Sequence, residues 1–333
     1  MKNGKLKVAI IGFGGMGHFH AASYANQKYA ELAAVCDTDE SKFRQAKEAI
    51  NVGSSGAVAL DQVKCCTSYE ELVRSVRFDV LDICLPCHLH AEYAVRAMRE
   101  GFDVLCEKPM ARTLAQADRM LRTAEETGRH LMIAQCLRFS PRFIFLKEAV
   151  QGGKYGKLLR LDMRRNSALP PNAWYHDHRK SGGALLDLHL HDTDLVNWIF
   201  GTPDAVQTFG VSRESGGIDD LLSCYIFEGG PIVNAEASWC RGGWSFGIVA
   251  VCEKATLAIG QSSITVYWRD KPAEEVSYDK TSHYALEIAS FTECVARNRP
   301  FDICPAASAR ESIRIALAEE RSARNNGRKI RLK

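Results

Sequence analysis

Residues 6–25 read LKVAIIGFGGMGHFHAASYA, and the fold turns on how this stretch is parsed. Leu6–Ile11 is a short, almost uninterrupted apolar run, the pattern of a strand buried on both faces. Gly12, Gly14 and Gly17 follow, and behind them the pattern becomes helical. A bare G-x-G-x-x-G says little, because glycine-rich turns are common. Its context says more: a second apolar run, ELAAVCD over residues 31–37, ends in Asp37, close to the roughly 20-residue spacing of a dinucleotide fingerprint. Each part has a physical job. Gly12 permits the tight turn, Gly14 lets backbone approach a pyrophosphate, and Gly17 lets helix pack on strand. The helix N-terminus faces the phosphates, and Asp37 accepts hydrogen bonds from ribose hydroxyls. Phe13, Gly15 and Met16 complete the expected loop contacts.

Working outward, further strand–helix units appear. FDVLDICLP (78–86) precedes AEYAVRAMREG (91–101), FDVLCEKP (102–109) precedes TLAQADRMLRTAEETG (113–128), and HLMIAQC (130–136) is another strand. This alternation predicts a parallel, doubly wound sheet. Ligands bind at the carboxyl ends of such strands, which is where Leu85, Pro86, Glu107, Lys108 and Pro109 fall. Leu85, Pro86, Glu107 and Lys108, with His90, extend the expected cofactor contacts. The run CLPCHLH (84–90) also matches a haem-attachment pattern and offers zinc ligands. Haem attachment requires export, and a structural zinc site wants a second distant pair. No metal is expected.

From about residue 137 the pattern changes. A helix (141–153) leads through KLLRLDMRRNS to a loop of Pro, Asn and aromatic residues, NSALPPNAWYHDHRK (166–180), and then to GGALLDLHLHDTD (182–194). Strand-like runs joined by short turns follow, with two helices closing the chain. The expected architecture is α/β: an N-terminal Rossmann domain, residues 1–134, and a C-terminal α+β domain, residues 135–333, built on a large, open, mainly antiparallel sheet.

Bulk properties narrow the function. The 333 residues allow two domains with real cores. Net charge is +3 and the basic residues form no dense tract before the tail, so nucleic acid is not an expected partner. No run has the length of a membrane span. The N-terminal apolar run breaks into glycines too early for a signal peptide, so the 12 scattered cysteines are expected as reduced thiols in a cytoplasmic protein.

The stretch 182–194 packs Asp187, His189, His191, Asp192 and Asp194 among leucines. On a regular helix Asp187, His191 and Asp194 share one face at i, i+4 and i+7, so Asp187 and His191 can serve one site as an acid/base pair. Two alternatives stand beside this: an Asp–His pair satisfied within a core, and a metal site drawing on His189 or on His176 and His178.

The ordered set GFGGMG, CD, LPCHLH, EKP and GGALLDLHLHDTD closely resembles the Gfo/Idh/MocA oxidoreductases. The resemblance spans nearly the whole chain. It implies an NAD-dependent dehydrogenase or reductase (NADP also possible) acting on sugars, cyclitols such as inositols, or related polyols. It implies that Lys108 lies near nicotinamide and the substrate hydroxyl, that Pro109 is cis, and that His191 moves the proton with Asp187 beside it. Trp174, before the glycine pair, joins Lys108, Asp187 and His191 as an expected substrate contact. The sequence departs from the family at His189, commonly Gly, and at Leu85, often Thr or Ser.

The chemistry is consistent with these roles. Hydride leaves a carbinol carbon only as its hydroxyl loses a proton, so a base that titrates near neutrality is useful. A lysine on the same oxygen stabilises developing alkoxide charge. The competing readings are a metal-dependent enzyme using the histidine-rich segments, and a dinucleotide or sugar sensor without catalysis. A homodimer or homotetramer through the C-terminal sheet is expected, because its outer face carries apolar residues within NAEASW, FGIVAV and TVYW.

Overall fold

The computed structural model describes residues 4–44, 49–50, 53–54 and 60–333. Strands are β1 Leu6–Ile11, β2 Ala30–Cys36, β3 Ala49–Ile50, β4 Gly53–Ser54, β5 Lys64–Cys66, β6 Val80–Ile83, β7 Asp103–Glu107, β8 Leu131–Ala134, β9 Leu158–Ala168, β10 Ala205–Val211, β11 Asp220–Ile226, β12 Ile232–Ser238, β13 Cys240–Cys252, β14 Ala255–Ile259, β15 Ile264–Trp268, β16 Glu274–Glu275 and β17 Ile330–Arg331. Helices are α1 Gly15–Tyr24, α2 Tyr69–Ser75, α3 His90–Arg99, α4 Leu114–Thr127, α5 Pro141–Gln151, α6 His178–Ser181, α7 Leu190–Phe200, α8 His283–Ala296 and α9 Ala306–Arg324.

The first sheet runs β5-β2-β1-β6-β7-β8, and its neighbours pair in parallel. Order reverses between β1 and β6, which makes the carboxyl ends of these two strands a switch point where ligands bind. Strands β6, β7 and β8 are buried at every position, as a sheet covered on both faces requires. Helix boundaries follow local chemistry. The Ser68 and Thr113 hydroxyls accept N–H bonds from Glu71 and Gln116 at the starts of α2 and α4, and Gly128 ends α4 in the left-handed conformation.

The second sheet runs β16-β15-β14-β13-β9-β12-β11-β10-β17 and is antiparallel except where β12 pairs with β9. One face is core: Leu161, Val206, Leu221, Val233, Ile248, Leu257 and Val266 are all buried. The other face is open. The outward apolar side chains concentrate on Phe209, Val211, Leu222 and Ile232, with Val249 and Tyr267 farther along. Of the runs expected to face outward, Ala235, Ala237, Trp239 and Ile248 point inward instead, because side chains alternate between faces along each strand.

The chain forms two compact units, Met1–Phe139 with Thr281–Arg310, and Ser140–Lys280 with Glu311–Lys333. This is not the single cut after residue 134 read from the sequence. Helix α8 presents Ile288, Phe291 and Val295 to the core built around Val8, Ile10, Tyr24 and Met132. Its apolar face therefore belongs to the first unit, although the helix follows the second sheet in sequence. Helix α9 begins in the first unit and ends in the second. Among the described residues, no helix is long and apolar enough to cross a membrane.

Candidate active site

The glycine loop distinguishes its three glycines by physics. Gly12 has φ +89°, and a Cβ there would lie 2.6 Å from the Cys84 carbonyl oxygen. A Cβ on Gly17 would collide with the Gly12 carbonyl oxygen. Gly14 is different. It caps α1 with φ −83°, and a Cβ there would meet nothing within 4 Å. Neither backbone conformation nor internal packing calls for glycine at 14, whereas a ligand lying against the helix N-terminus does. The cradle therefore fits the dinucleotide expected from the sequence.

Gly14, Gly15 and Met16 are partly exposed, while the Phe13 ring is buried with its centroid 4.1 Å from that of His18. Phe13 is fully buried, and its N–H donates to Asp37 Oδ2 at 2.8 Å. Asp37 Oδ1 accepts from the Asp39 N–H at 2.9 Å. The carboxylate is thus tethered beside the glycine loop at the end of β2.

At the ends of β6 and β7, Leu85, Pro86 and Lys108 are partly exposed. The Lys108–Pro109 peptide is cis. His90 and Glu107, read from the sequence as cofactor contacts, are both buried and hydrogen-bonded within the first unit. His90 is buried, with Nδ1 2.8 Å from the Pro109 carbonyl oxygen and Nε2 2.7 Å from that of Leu85. Burial pushes its pKa below the ordinary histidine value, against the pull of the two carbonyls. His90 thus sits between the loop after β6 and the segment after β7, and its neutral ring donates its one N–H to one of the two carbonyls. Glu107 is buried, with Oε2 accepting the Lys108 N–H at 2.9 Å.

In the second unit, the stretch expected as regular helix starts with a π turn, Leu185–His189, before α7. The wider turn shifts the faces that follow. From Ser181 to Val196 the only side chains that are not buried are Asp187 and His191. Asp194, expected on the same face, points inward and accepts from Ser312 Oγ at 2.7 Å. Asp192 takes a bidentate pair from Arg165 at 2.9 and 2.8 Å. His189 Nε2 lies 3.2 Å from Glu319 Oε1 and 3.1 Å from Tyr225 Oη, so its fully buried ring belongs to the core. Ahead of this segment Trp174 is partly exposed, its ring stacked on Tyr175 at 3.8 Å.

Arg165 and Glu319 escaped the sequence reading, though signals existed. Leu161, Met163 and Arg165 alternate along β9, which puts Arg165 on the inward face, while Arg160 and Arg164 point outward and pair with Asp162 and Glu236. A charge on a core face announces a buried partner. His20 and Asp82 were missed likewise: Asp82 interrupts a wholly buried strand.

Comparison with known proteins agrees with this geometry. Residues 6–135 match the model of the oxidoreductase family with NAD-binding Rossmann fold, and residues 143–258 match the GFO/IDH/MocA C-terminal domain. The chain is 30% identical over 261 residues to D-glucoside 3-dehydrogenase of Escherichia coli, covering 72% of each. It is 30% identical over 196 residues to myo-inositol 2-dehydrogenase of Thermotoga maritima, covering 59% of this chain and 55% of that one. In fold it resembles the WlbA dehydrogenase of Bordetella pertussis, solved with NADH and UDP-GlcNAcA, with TM-score 0.84 at 20% identity over 100% of this chain and 99% of that one.

The glycine analysis yields a direct prediction. Gly14→Ala keeps the thermal midpoint of the wild type and weakens NAD binding about tenfold or more, roughly 1.4 kcal/mol. Gly17→Ala lowers the midpoint itself. Calorimetric titration beside thermal melts separates the two, and wild-type NAD affinity in Gly14→Ala contradicts the assignment.

Proposed function

We propose, from the premise that this chain belongs to the Gfo/Idh/MocA family and is an NAD-dependent dehydrogenase, that its substrate is a sugar, a cyclitol or a related polyol oxidised or reduced at one carbinol carbon. The observation that carries the site assignment is the selective exposure of Asp187 and His191 in an otherwise buried segment. Partial exposure lets a titratable side chain meet a ligand, which the buried charges on either side of it cannot do.

Gly12–Gly17, Asp37, Leu85 and Pro86 would hold the cofactor, whose nicotinamide supplies the hydride exchange. His191 takes the hydroxyl proton as the carbinol is oxidised and returns it in the reverse direction. Asp187, one helical turn earlier, orients the ring and stabilises its imidazolium form. Lys108, in the first unit, is a donor suited to stabilising developing alkoxide charge. Trp174 offers an aromatic face to the substrate. The similarity to an inositol dehydrogenase and a glucoside dehydrogenase supports the substrate class, and the carbon attacked follows from the individual substrate.

We also propose a homo-oligomer through the open face of the second sheet. Phe209 and Leu222, 55% and 50% exposed, sit directly opposite one another on β10 and β11, and Ile232 is 54% exposed. Arg160 with Asp162 and Arg164 with Glu236 form a charged strip between these residues and Val249 and Tyr267. Apolar ends around a self-complementary charged centre suit a two-fold contact.

Two outcomes are expected. In a screen of NAD reduction with inositols, glucosides and nucleotide sugars, at least one substrate turns over. Lys108→Ala and His191→Ala then lose about a hundredfold or more in kcat, roughly 2.7 kcal/mol, while NAD titration is unchanged. Near wild-type turnover in His191→Ala across the pH range would show that the proton moves elsewhere. Light scattering after size exclusion at low micromolar protein gives a mass of two or more chains, and a mass near the 37.0 kDa of one chain rejects the oligomer.

A further inference from the structure

The first unit buries a charge cluster behind Lys108. His20, on α1, is wholly inaccessible, and carboxylates meet both of its ring nitrogens. Nδ1 lies 2.8 Å from Asp82 Oδ2, and Nε2 lies 3.1 Å from Glu107 Oε1. A neutral imidazole has one N–H, so only the protonated ring donates to both sides. Burial is the largest single influence and opposes that charge, yet the charge and hydrogen bond of Asp82, together with Cys84, hold the His20 pKa well above the ordinary value.

The rest of the cluster is arranged around this cation. Asp82 also accepts from the Tyr24 hydroxyl at 2.9 Å and from the Cys84 thiol at 3.7 Å. Burial pushes the Cys84 thiol up to about 12, so it remains a donor. Glu107 bonds His20 through one oxygen and the Lys108 N–H through the other. Burial alone would raise the Glu107 pKa; the His20 bond and charge, with Lys108 and His90, hold it below the usual carboxylate value. From α8, Tyr284 places its ring centroid 6.5 Å from that of His20, and Glu287 adds its charge to the field at Tyr24. His20, Asp82 and Cys84 are the one group of three potential metal donors among the described residues. The bonds just described explain their proximity without an ion.

We propose that His20 is a positioning residue for Lys108: as a buried imidazolium between Asp82 and Glu107, it seats the Glu107 carboxylate on the Lys108 N–H and keeps that carboxylate ionised behind the lysine. The inference rests on the role given to Lys108 above. It joins the helix that follows the glycine loop to the residue that follows β7, so cofactor cradle and lysine share one rigid ionic connection. On the other flank His90 packs between the Pro109 and Leu85 carbonyl oxygens.

The test combines spectroscopy with variants of the full chain. In the cofactor-free wild type, the His20 ring resonances, assigned by their loss in His20→Asn, stay those of an imidazolium at about pH 8.5, two units above the ordinary histidine value. Glu107→Gln and His20→Asn each lower kcat about tenfold or more, and the double variant is no worse than the more impaired single one. The pH profile separates positioning from mere scaffolding. Without His20, burial raises the Glu107 pKa, so the carboxylate takes up a proton at higher pH. In His20→Asn the acid-side fall of kcat then moves up by about one pH unit or more, and in Glu107→Gln and the double variant that step is missing. A purely structural role lowers kcat evenly across pH. Ring titration near 6.5 in the wild type, or wild-type kcat with an unchanged profile in Glu107→Gln, overturns the proposal; both readings stand even where His20→Asn fails to fold. If Lys108→Ala retains turnover, the role of Lys108 is what fails, and the imidazolium result is unaffected. If Lys108→Ala is inactive while Glu107→Gln is fully active, the positioning role alone falls.

Discussion

Burying a charged side chain costs several kcal/mol unless a partner meets it, and in both units of this protein that constraint sets how the buried polar groups are arranged. In the second unit Arg165 meets Asp192, Ser312 meets Asp194, and Glu319 meets His189. Removing one partner of a buried ion pair typically costs about 3–5 kcal/mol, so these contacts fix α7 against sheet and helix. In the first unit the same rule sets His20 between Asp82 and Glu107. Asp187, His191 and Lys108 are by contrast partly exposed.

Rigid supports hold side chains precisely within each unit. Lys108 follows a strand buried at every position, and its backbone N–H is bonded to the preceding carboxylate. Asp187 lies within the π turn and His191 at the start of α7, which the Arg165–Asp192 pair ties to β9. The glycine loop is shaped by close approach at two positions and left free at the third. Steric necessity explains Gly12 and Gly17, and ligand approach explains Gly14. That division of labour marks a binding loop more strongly than the G-x-G-x-x-G pattern alone.

Much of this was legible in the sequence, for reasons that can be stated. The parallel sheet was readable because apolar runs, glycine turns and helical patterns alternate with the regularity that a doubly wound fold imposes. That Asp187 and His191 share a partly exposed side was readable from their spacing, although the π turn was not, since nothing in LLDLH distinguishes a widened turn from a regular one. Asp194 was misplaced for that reason. The return of α8 to the first unit was hidden because an apolar helical face carries no address. His90 and Glu107 looked like cofactor contacts from their place at strand ends, and the internal hydrogen bonds that occupy them depend on residues far off in sequence. Asp82 and Arg165 could have been flagged as charges on buried strand faces, which require partners.

The central claim is that this chain moves a hydride between a carbinol carbon and NAD. It is tested most directly by following the label. A substrate found active in the screen is prepared with deuterium at its reacting carbon and incubated with NAD, and the reduced cofactor is isolated. The account predicts deuterium at C4 of the nicotinamide ring in amounts matching the ketone formed, together with a product lacking that label. Ketone formed while the deuterium appears in water, with unlabelled reduced cofactor, would contradict it.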